Sequence, residues 1–91
     1  MDHNDQRTII KNRIADFIRR EHQDPRLDVG GADLIATGIL DSFFLIALTD
    51  FLEREFKIQL TADDLIEDNF RTLDSIADLV VRRTKEIAES E

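Results

Sequence analysis

Residues 37–48, with the sequence TGILDSFFLIAL, place a hydroxyl and a carboxylate between a glycine turn and a long apolar run. The hydroxyl belongs to Ser42 and the carboxylate belongs to Asp41, which precedes it directly. A second Leu-Asp-Ser sequence occurs at residues 73–75, so the tripeptide alone does not identify a functional serine. The structural setting of each serine must therefore decide which of the two is available for chemistry.

Ser42 opens a predicted helix over residues 42–57, whose core stripe at helical spacing consists of Leu45, Leu48, Leu52 and Phe56. The opposite face, nearest Ser42, carries Phe43, Ile46, Ala47 and Asp50. Phe44 lies at the edge between the two faces. Capping accounts for one polar residue at this helix start, but not for contiguous exposed apolar residues, which are typical of a contact surface. A helix N-terminus also favours an attached phosphate through its free N–H groups and its dipole.

Ser75 lies in the first turn of another predicted helix, three residues after Thr72, the predicted N-cap. Serine is common at this position, and the acid Asp74 suits the positive end of the helix dipole. The inner face of this helix consists of Leu73, Ile76, Val80, Thr84 and Ile87, with Leu79 and Val81 beside it. A structural role is therefore sufficient to explain Ser75.

Catalysis by Ser42 would need partners that the sequence does not provide. A serine nucleophile requires an adjacent base, and the two histidines, His3 and His22, are both distant in sequence. The G-x-S-x-G elbow of serine hydrolases is absent. We therefore do not predict a serine hydrolase.

Metal sites and phosphate-binding loops are not predicted either. A cluster of acids lacks the EF-hand spacing, and we interpret it as an acidic helix face; it consists of Asp63, Asp64, Glu67 and Asp68. Gly30-Gly31 lacks the lysine and the hydroxyl residue of a phosphate-binding loop, so we interpret it as a turn.

The chain as a whole predicts an all-α fold, a bundle of three long helices and one short helix. The first helix, over residues 6–22, has Asn4 or Asp5 as candidate caps and an apolar face of Ile10, Ile14, Phe17 and Ile18. A long connection follows over residues 23–41, and it is expected to be held against the core by Leu27, Leu34, Ile35 and Ile39. The short helix, at residues 62–67, is predicted to have Thr61 as its cap and Asp64 in its first turn. Residues 1–91 form one predicted domain, ordered over residues 6–88.

Composition and charge exclude several classes of protein. The chain has no cysteine, so disulfides, thiolate zinc sites and a cysteine nucleophile are excluded. The net charge is −8, and residues 24–70, with eleven acids and three bases, contribute all of this excess. This acidic segment disfavours nucleic-acid binding and favours partners with basic docking surfaces. No run reaches the roughly 20 apolar residues of a membrane span, and the first residues do not resemble a signal peptide, so we expect a cytoplasmic protein. We also expect a monomer.

Taken together, these residues resemble the carrier proteins of acyl and peptidyl biosynthesis, over residues 8–85 of the chain. The family has a D-L-x-x-x-G-x-x-D-S-L run, and its positions are occupied here by Asp33-Leu34, Gly38, Leu40-Asp41-Ser42 and Phe43. The family's second helix, L-x-x-x-L-E-x-E-F, is matched by Leu48, Leu52, Glu53, Glu55 and Phe56. The stretch that leads into the family's last helix resembles residues 70–73 with Ile76. The run from Asp33 to Phe56 is the most specific part of the resemblance.

The resemblance implies a four-helix bundle of acyl-carrier type and a non-catalytic role. It implies that a separate phosphopantetheinyl transferase, using coenzyme A and magnesium, attaches 4′-phosphopantetheine to Ser42, with Asp41 flanking the site. The arm would supply the thiol that this chain lacks, and acyl or aminoacyl groups would travel on it as thioesters. Further partners would be an acyl- or aminoacyl-loading ligase and downstream transferases or synthases. Partner contacts are expected at Phe43, Phe44, Ile46, Ala47, Asp50 and Glu53.

Departures from carriers of fatty-acid type indicate a subclass. Bulky Phe43-Phe44 follows the serine, where small or polar residues are common, and Ala47 and Arg54 replace acids of the outer second helix. The Gly-Ile-Leu-Asp-Ser sequence is more similar to discrete, stand-alone carriers of D-alanyl or secondary-metabolite systems, and fatty-acid, polyketide and nonribosomal-peptide pathways stay open. Because large side chains cluster near the start of the second helix, we expect a filled core and a small cargo at the surface beside Phe43 and Ile46.

A second class of protein stays open on the residues alone. An unmodified small helical adaptor could bind a partner helix through a surface made of Phe43, Phe44 and Ile46. Covalent modification of Ser42 distinguishes the carrier from the adaptor.

Overall fold

The computed structural model describes the backbone of residues 3–90 and the side-chain surroundings of residues 6–86. The helices, in chain order, are α1 (His3–Glu21), α2 (Ser42–Phe56), α3 (Glu67–Phe70) and α4 (Leu73–Ser90). A 3₁₀ turn, Ala62–Asp64, lies between α2 and α3. The described residues include no β-strand, and three of the four helices are long, as the hydrophobic periodicity predicts.

Helix α4 is the central element, because α1, α2 and α3 all pack against it. The core is formed by residues of the predicted inner faces of the long helices, and the side chains that lose all or nearly all contact with water include Ile14, Ile18, Leu48, Leu52, Ile76, Leu79 and Val80. Ile87, which was also predicted on the inner face of the last helix, lies outside the residues whose side chains are described. Burial of each such side chain contributes about 1.5–3 kcal/mol, which is the main favourable term in a domain of this size. The three amphipathic helices therefore fold by covering one another's apolar faces.

The connection between α1 and α2 has no regular secondary structure, yet it is held against the core as predicted. Leu34 is fully buried, and Leu27, Ile35 and Ile39 are partly buried against the core. The burial of Val29 and Leu40 was not predicted, because neither residue belongs to a periodic pattern that sequence reasoning can use.

The prediction of a short helix at residues 62–67 is wrong in position. The chain forms a 3₁₀ turn at Ala62–Asp64, becomes extended at Ile66 and only then enters α3. The side chain of Asn69 explains the break, because its Nδ2 donates to the carbonyl oxygen of Asp64 at 2.8 Å. That carbonyl would accept the next helical N–H in a continuous helix, so the side chain replaces a backbone hydrogen bond.

The prediction for the start of α1 is also wrong. The helix begins at His3, so Asn4 and Asp5 lie within it and neither is its N-cap. Residues of these types are favoured both at the cap and, when acidic, in the first turn, so their identity does not fix the boundary.

Asp64 is the buried charged residue of the described chain, and it ties the 3₁₀ turn to α4. Its carboxylate accepts hydrogen bonds from Arg83 through both Nε, at 3.0 Å, and Nη2. It also accepts one from the backbone N–H of Thr61, the predicted cap, at 2.9 Å. The Arg83 guanidinium, followed by the Thr61 amide, holds the pKa of Asp64 below its usual value.

Removing the charge of Asp64 should therefore destabilise the protein. Asp64→Asn leaves Arg83 without its carboxylate, and we expect a loss of about 2 kcal/mol in the free energy of unfolding at neutral pH. Urea unfolding measures this loss. The neighbouring Asp63→Asn is the matched control, since Asp63 is exposed, and its effect should stay within about 0.5 kcal/mol.

The same interaction should be lost in acid. Because the folded-state pKa of Asp64 is depressed, its contribution is complete above about pH 4 and disappears as the pH falls through the folded-state value. The stability difference between the native protein and Asp64→Asn should therefore shrink at low pH. A difference of unchanged size in acid would contradict a stabilising ionised Asp64.

Candidate functional site

Ser42 is the first residue of α2, and its side chain is exposed. The N-cap is Asp41, in extended conformation, and its Oδ1 accepts a hydrogen bond from the Phe44 N–H at 2.8 Å. Asp41 therefore performs the capping that the helix needs. Among the described residues nothing hydrogen-bonds to the Ser42 hydroxyl, so its Oγ is both accessible and unengaged.

Ser75 has the opposite surroundings. Its Oγ donates to the Thr72 carbonyl at 2.9 Å and accepts from the Thr72 N–H at 3.1 Å, while the Ser75 N–H donates to Thr72 Oγ1 at 3.0 Å. This reciprocal arrangement is a capping box, and the side chain is only partly exposed. The predicted structural role of Ser75 is confirmed, and the two Leu-Asp-Ser sequences are distinguished by which residue caps the helix.

The loop that precedes Ser42 is the second part of the connection, residues 33–41. It is anchored at its start by Arg71, which lies between α3 and α4. The Arg71 carbonyl accepts from the Leu34 N–H at 2.7 Å, and its guanidinium lies 3.3 Å from Asp33 Oδ2. The other oxygen of Asp33 accepts from the N–H groups of Ile35 and Ala36. The hydrogen bond from Ala36, together with Arg71, holds the pKa of Asp33 below its usual value.

The end of the same loop is contacted by His22, just beyond α1. His22 Nε2 lies 2.8 Å from the Ile39 carbonyl oxygen. The His22 ring also meets the ring of Phe44 edge-on, with the ring centres 4.9 Å apart. Between the two anchors, Gly38 has a positive φ of 82°, a conformation that glycine adopts without strain.

The six predicted contact residues differ in exposure. Phe43 and Ile46 are 86% and 70% exposed, while Phe44 is only partly exposed because its ring stacks on Phe17 at 5.8 Å. Ala47 and Glu53 are partly exposed, and Asp50 is exposed.

The flanking acid Asp41 and the two acids of the predicted contact set, Asp50 and Glu53, all have partners within the protein. Asp41 accepts the Phe44 N–H, Asp50 pairs with Arg54 at 3.1 Å, and Glu53 accepts the Leu60 N–H at 2.9 Å. A carboxylate has more than one acceptor position, so these contacts leave oxygen atoms available to a partner. Each acid nevertheless contributes to the local structure as well as to the surface charge.

A groove of about 360 Å³ opens beside Ser42, between the loop and the segment that ends in α3. We call it the Ser42 groove. Its apolar walls are formed by Ile35, Leu40, Leu45, Leu65, Ile66 and Phe70, and the carboxylates of Asp41 and Glu67 lie at its edge. Sequence reasoning missed Leu65 and Ile66, which are 39% and 51% exposed, because it assigned them to a continuous helix.

A cluster of partly exposed aromatic rings lies where α1 meets α2, and none of its rings lines the Ser42 groove. Phe17 and Phe51 stack with their ring centres 4.2 Å apart, and Phe56 meets Phe51 edge-on at 6.2 Å. Aromatic side chains bury large areas and pack at high density. These stacked rings therefore pack α1 against α2.

The described residues contain neither a candidate membrane span nor a candidate metal cluster. No helix of residues 3–90 is both long and apolar enough to cross a membrane. No group of three or more histidine or acidic side chains in this part of the chain could hold a metal ion. Within the acidic cluster of residues 63–68, Asp64 instead binds Arg83.

No family model, curated protein or solved structure matches the chain. The resemblance to carrier proteins therefore stands on the residues between Asp33 and Phe56 and on the geometry of Ser42.

Proposed function

We propose that the protein is a carrier that bears 4′-phosphopantetheine on Ser42 and shuttles acyl or aminoacyl thioesters between enzymes. The observation that carries this proposal is the state of the Ser42 hydroxyl. It is exposed and free of hydrogen bonds at the start of a helix that Asp41 caps. A serine needed only for capping would have its hydroxyl engaged, as Ser75 has.

The order and lengths of the helices support a carrier fold. Three long helices, with a short helical segment between the second and the last, agree with the acyl-carrier type of four-helix bundle that the resemblance implies. The attachment position would then be the first residue of the second helix. Helix type and order are common to many proteins, so the motif around Ser42 gives this agreement its meaning.

The surroundings of Ser42 fit a covalently attached phosphopantetheine. The first N–H groups of α2 have no intrahelical acceptor, and the positive end of the helix dipole favours a phosphate there. The Ser42 groove starts at the serine and offers an apolar wall along which an arm could lie. When bound, the arm would supply a thiol that forms thioesters, which the cysteine-free chain cannot supply itself.

The chain's own residues would position and present the serine. Asp41 fixes the start of α2, and Arg71 and Asp33 hold the loop that leads to it. Phe43 and Ile46 would form the apolar contact with the phosphopantetheinyl transferase, the loading ligase and the downstream enzymes. The protein itself would not catalyse a reaction, because the modification and the acyl transfers would take place in the partners' active sites.

The subclass that we propose is a discrete carrier with a small cargo. The stacking of Phe17 on Phe44 and Phe51 occupies the junction of α1 and α2 and supports a surface position for that cargo. The adaptor alternative would use Phe43, Phe44 and Ile46 together, but the ring of Phe44 is packed against Phe17 and His22.

Modification should occur at Ser42 and at no other residue. Incubation with a broad-specificity phosphopantetheinyl transferase, coenzyme A and magnesium should add one phosphopantetheine, detected by intact-protein mass spectrometry. Ser42→Ala should abolish the addition, whereas Ser75→Ala should retain it once the protein is shown to be folded. Addition to Ser42→Ala, or no addition to the native protein, would refute the proposal.

Association with the transferase should depend on charge. Because the acidic excess lies within residues 24–70, higher salt should slow modification by raising KM more than it lowers kcat. Asp50→Asn should have the same effect. Asp16→Asn, on the exposed side of α1 and outside the acidic segment, serves as the control. A rate independent of ionic strength would exclude electrostatic recognition.

The cargo should rest at the surface. On loading a short acyl group onto the arm, amide chemical shifts should change at Phe43 and Ile46 and stay constant at Leu48 and Val80, which are fully buried. Changes at Leu65 and Ile66 instead would place the cargo in the Ser42 groove. Widespread changes at Leu48 and Val80 with a long acyl group would show sequestration in the interior and contradict the prediction.

A further inference from the structure

His22 contacts the chain on both sides of Ser42. Its Nε2 lies 2.8 Å from the Ile39 carbonyl oxygen, three residues before the serine, and its ring packs edge-on against Phe44, two residues after it. The Phe44 N–H is in turn bonded to Asp41 Oδ1. One exposed side chain from the end of α1 therefore holds both ends of the segment that presents the serine.

The position of His22 itself is fixed by the end of α1. Its backbone N–H donates to the carbonyl of Ile18, a buried core residue, at 3.0 Å. The next residue, Gln23, adopts a positive φ of 55° and turns the chain away from the helix. The backbone of His22 is therefore fixed to α1, and its side chain can hold the loop from this position.

The segment at residues 38–41 has other anchors as well, because Leu40 is buried and Ile39 packs against the core. Its remaining hydrogen bonds run from the Gly38 and Leu40 N–H groups to the carbonyls of Ile35 and Leu34, from the Ile39 N–H to Thr37 Oγ1, and from the N–H groups of Phe44 and Leu45 to Asp41. Within the described chain, His22 is the side chain outside the loop that hydrogen-bonds to this segment. Gly38, the first residue of the segment, has a positive φ of 82°.

The hydrogen bond also defines the chemistry of His22. A carbonyl oxygen can only accept, so Nε2 carries a proton and donates a hydrogen bond to the Ile39 carbonyl oxygen. A nitrogen that donates in this way cannot remove a proton from the Ser42 hydroxyl. The geometry thus excludes a base at Nε2 and leaves a positioning role.

We propose that His22 is a positioning residue, which holds the Ile39–Ser42 segment so that the serine hydroxyl is presented to the transferase. This inference rests on the proposed carrier function. His22 does not touch the reacting atoms, and its effect passes through the Ile39 carbonyl and the Phe44 ring. Loss of the contact should allow the loop to move and reduce the fraction of encounters in which Ser42 is correctly placed.

Three substitutions separate the two contacts. His22→Gln keeps an N–H donor at a similar distance, His22→Phe keeps a ring against Phe44 without a donor, and His22→Ala removes both. We expect His22→Ala and His22→Phe to lower kcat for modification by about fivefold, the factor for one neutral hydrogen bond, with little change in KM. His22→Gln should retain most of the native kcat.

A control separates positioning from stability. Ile10→Val removes one methylene group from the buried side of α1 without touching the loop, and it should lower stability while leaving kcat unchanged. If Ile10→Val lowered kcat as much as His22→Ala does, the effect would be one of general destabilisation, and the inference would be wrong.

Amide hydrogen exchange of the unmodified protein tests the anchor without any transferase. The N–H groups of Leu40 and Phe44 should exchange faster in His22→Ala and His22→Phe and at the native rate in His22→Gln. Unchanged exchange in all three variants would overturn the inference, as would faster exchange with an unchanged kcat. Absence of modification in the native protein would refute the carrier function, and the exchange rates would still decide whether His22 anchors the loop.

Discussion

The structure depends on fixing the connection between α1 and α2, a segment of 22–41 that has no regular secondary structure. A loop of this length would be mobile if only its ends were held. Here Val29, Leu34 and Leu40 are buried among the helices, and Arg71 holds the loop through its carbonyl and its guanidinium. The position of Ser42 follows from these contacts, because the loop delivers the chain to the start of α2.

The residue that caps each helix explains why the hydroxyl of one serine is free while the hydroxyl of the other is hydrogen-bonded. Each N-terminus needs a side-chain oxygen for its free N–H groups. At α4, Thr72 and Ser75 satisfy each other, and the serine hydroxyl is used. At α2, Asp41 takes this role and Ser42 moves one position into the helix, where its hydroxyl faces solvent. The N-cap lies one residue before Ser42 but three residues before Ser75. This difference in the position of the cap leaves the first hydroxyl free and engages the second.

The aromatic residues of α2 differ in exposure, according to whether another ring packs against them. Phe51 and Phe44 stack on Phe17 of α1 and are partly buried against the core, whereas the neighbouring Phe43 stays exposed. The Ser42 groove forms on the other side of the helix start, where the break before α3 leaves Leu65 and Ile66 beside it. The serine thus lies between an exposed apolar face and an apolar groove, and both surfaces are available to an attached group or to a partner.

The sequence by itself determined the helical class, the inner faces of the long helices, the caps Thr61 and Thr72, and the position of Ser42 at a helix start. These features are local, because helical periodicity and capping involve residues within a few positions of each other. Tertiary structure decided the break at Ile66, the pairing of Asp64 with Arg83, the Ser42 groove and the contact of His22 with Ile39. Each of the last three joins residues from separate segments, and the side chain of Asn69 makes the break by taking a carbonyl from the helix ladder. Such contacts exist only after the helices have docked, so no periodicity in the sequence can reveal them.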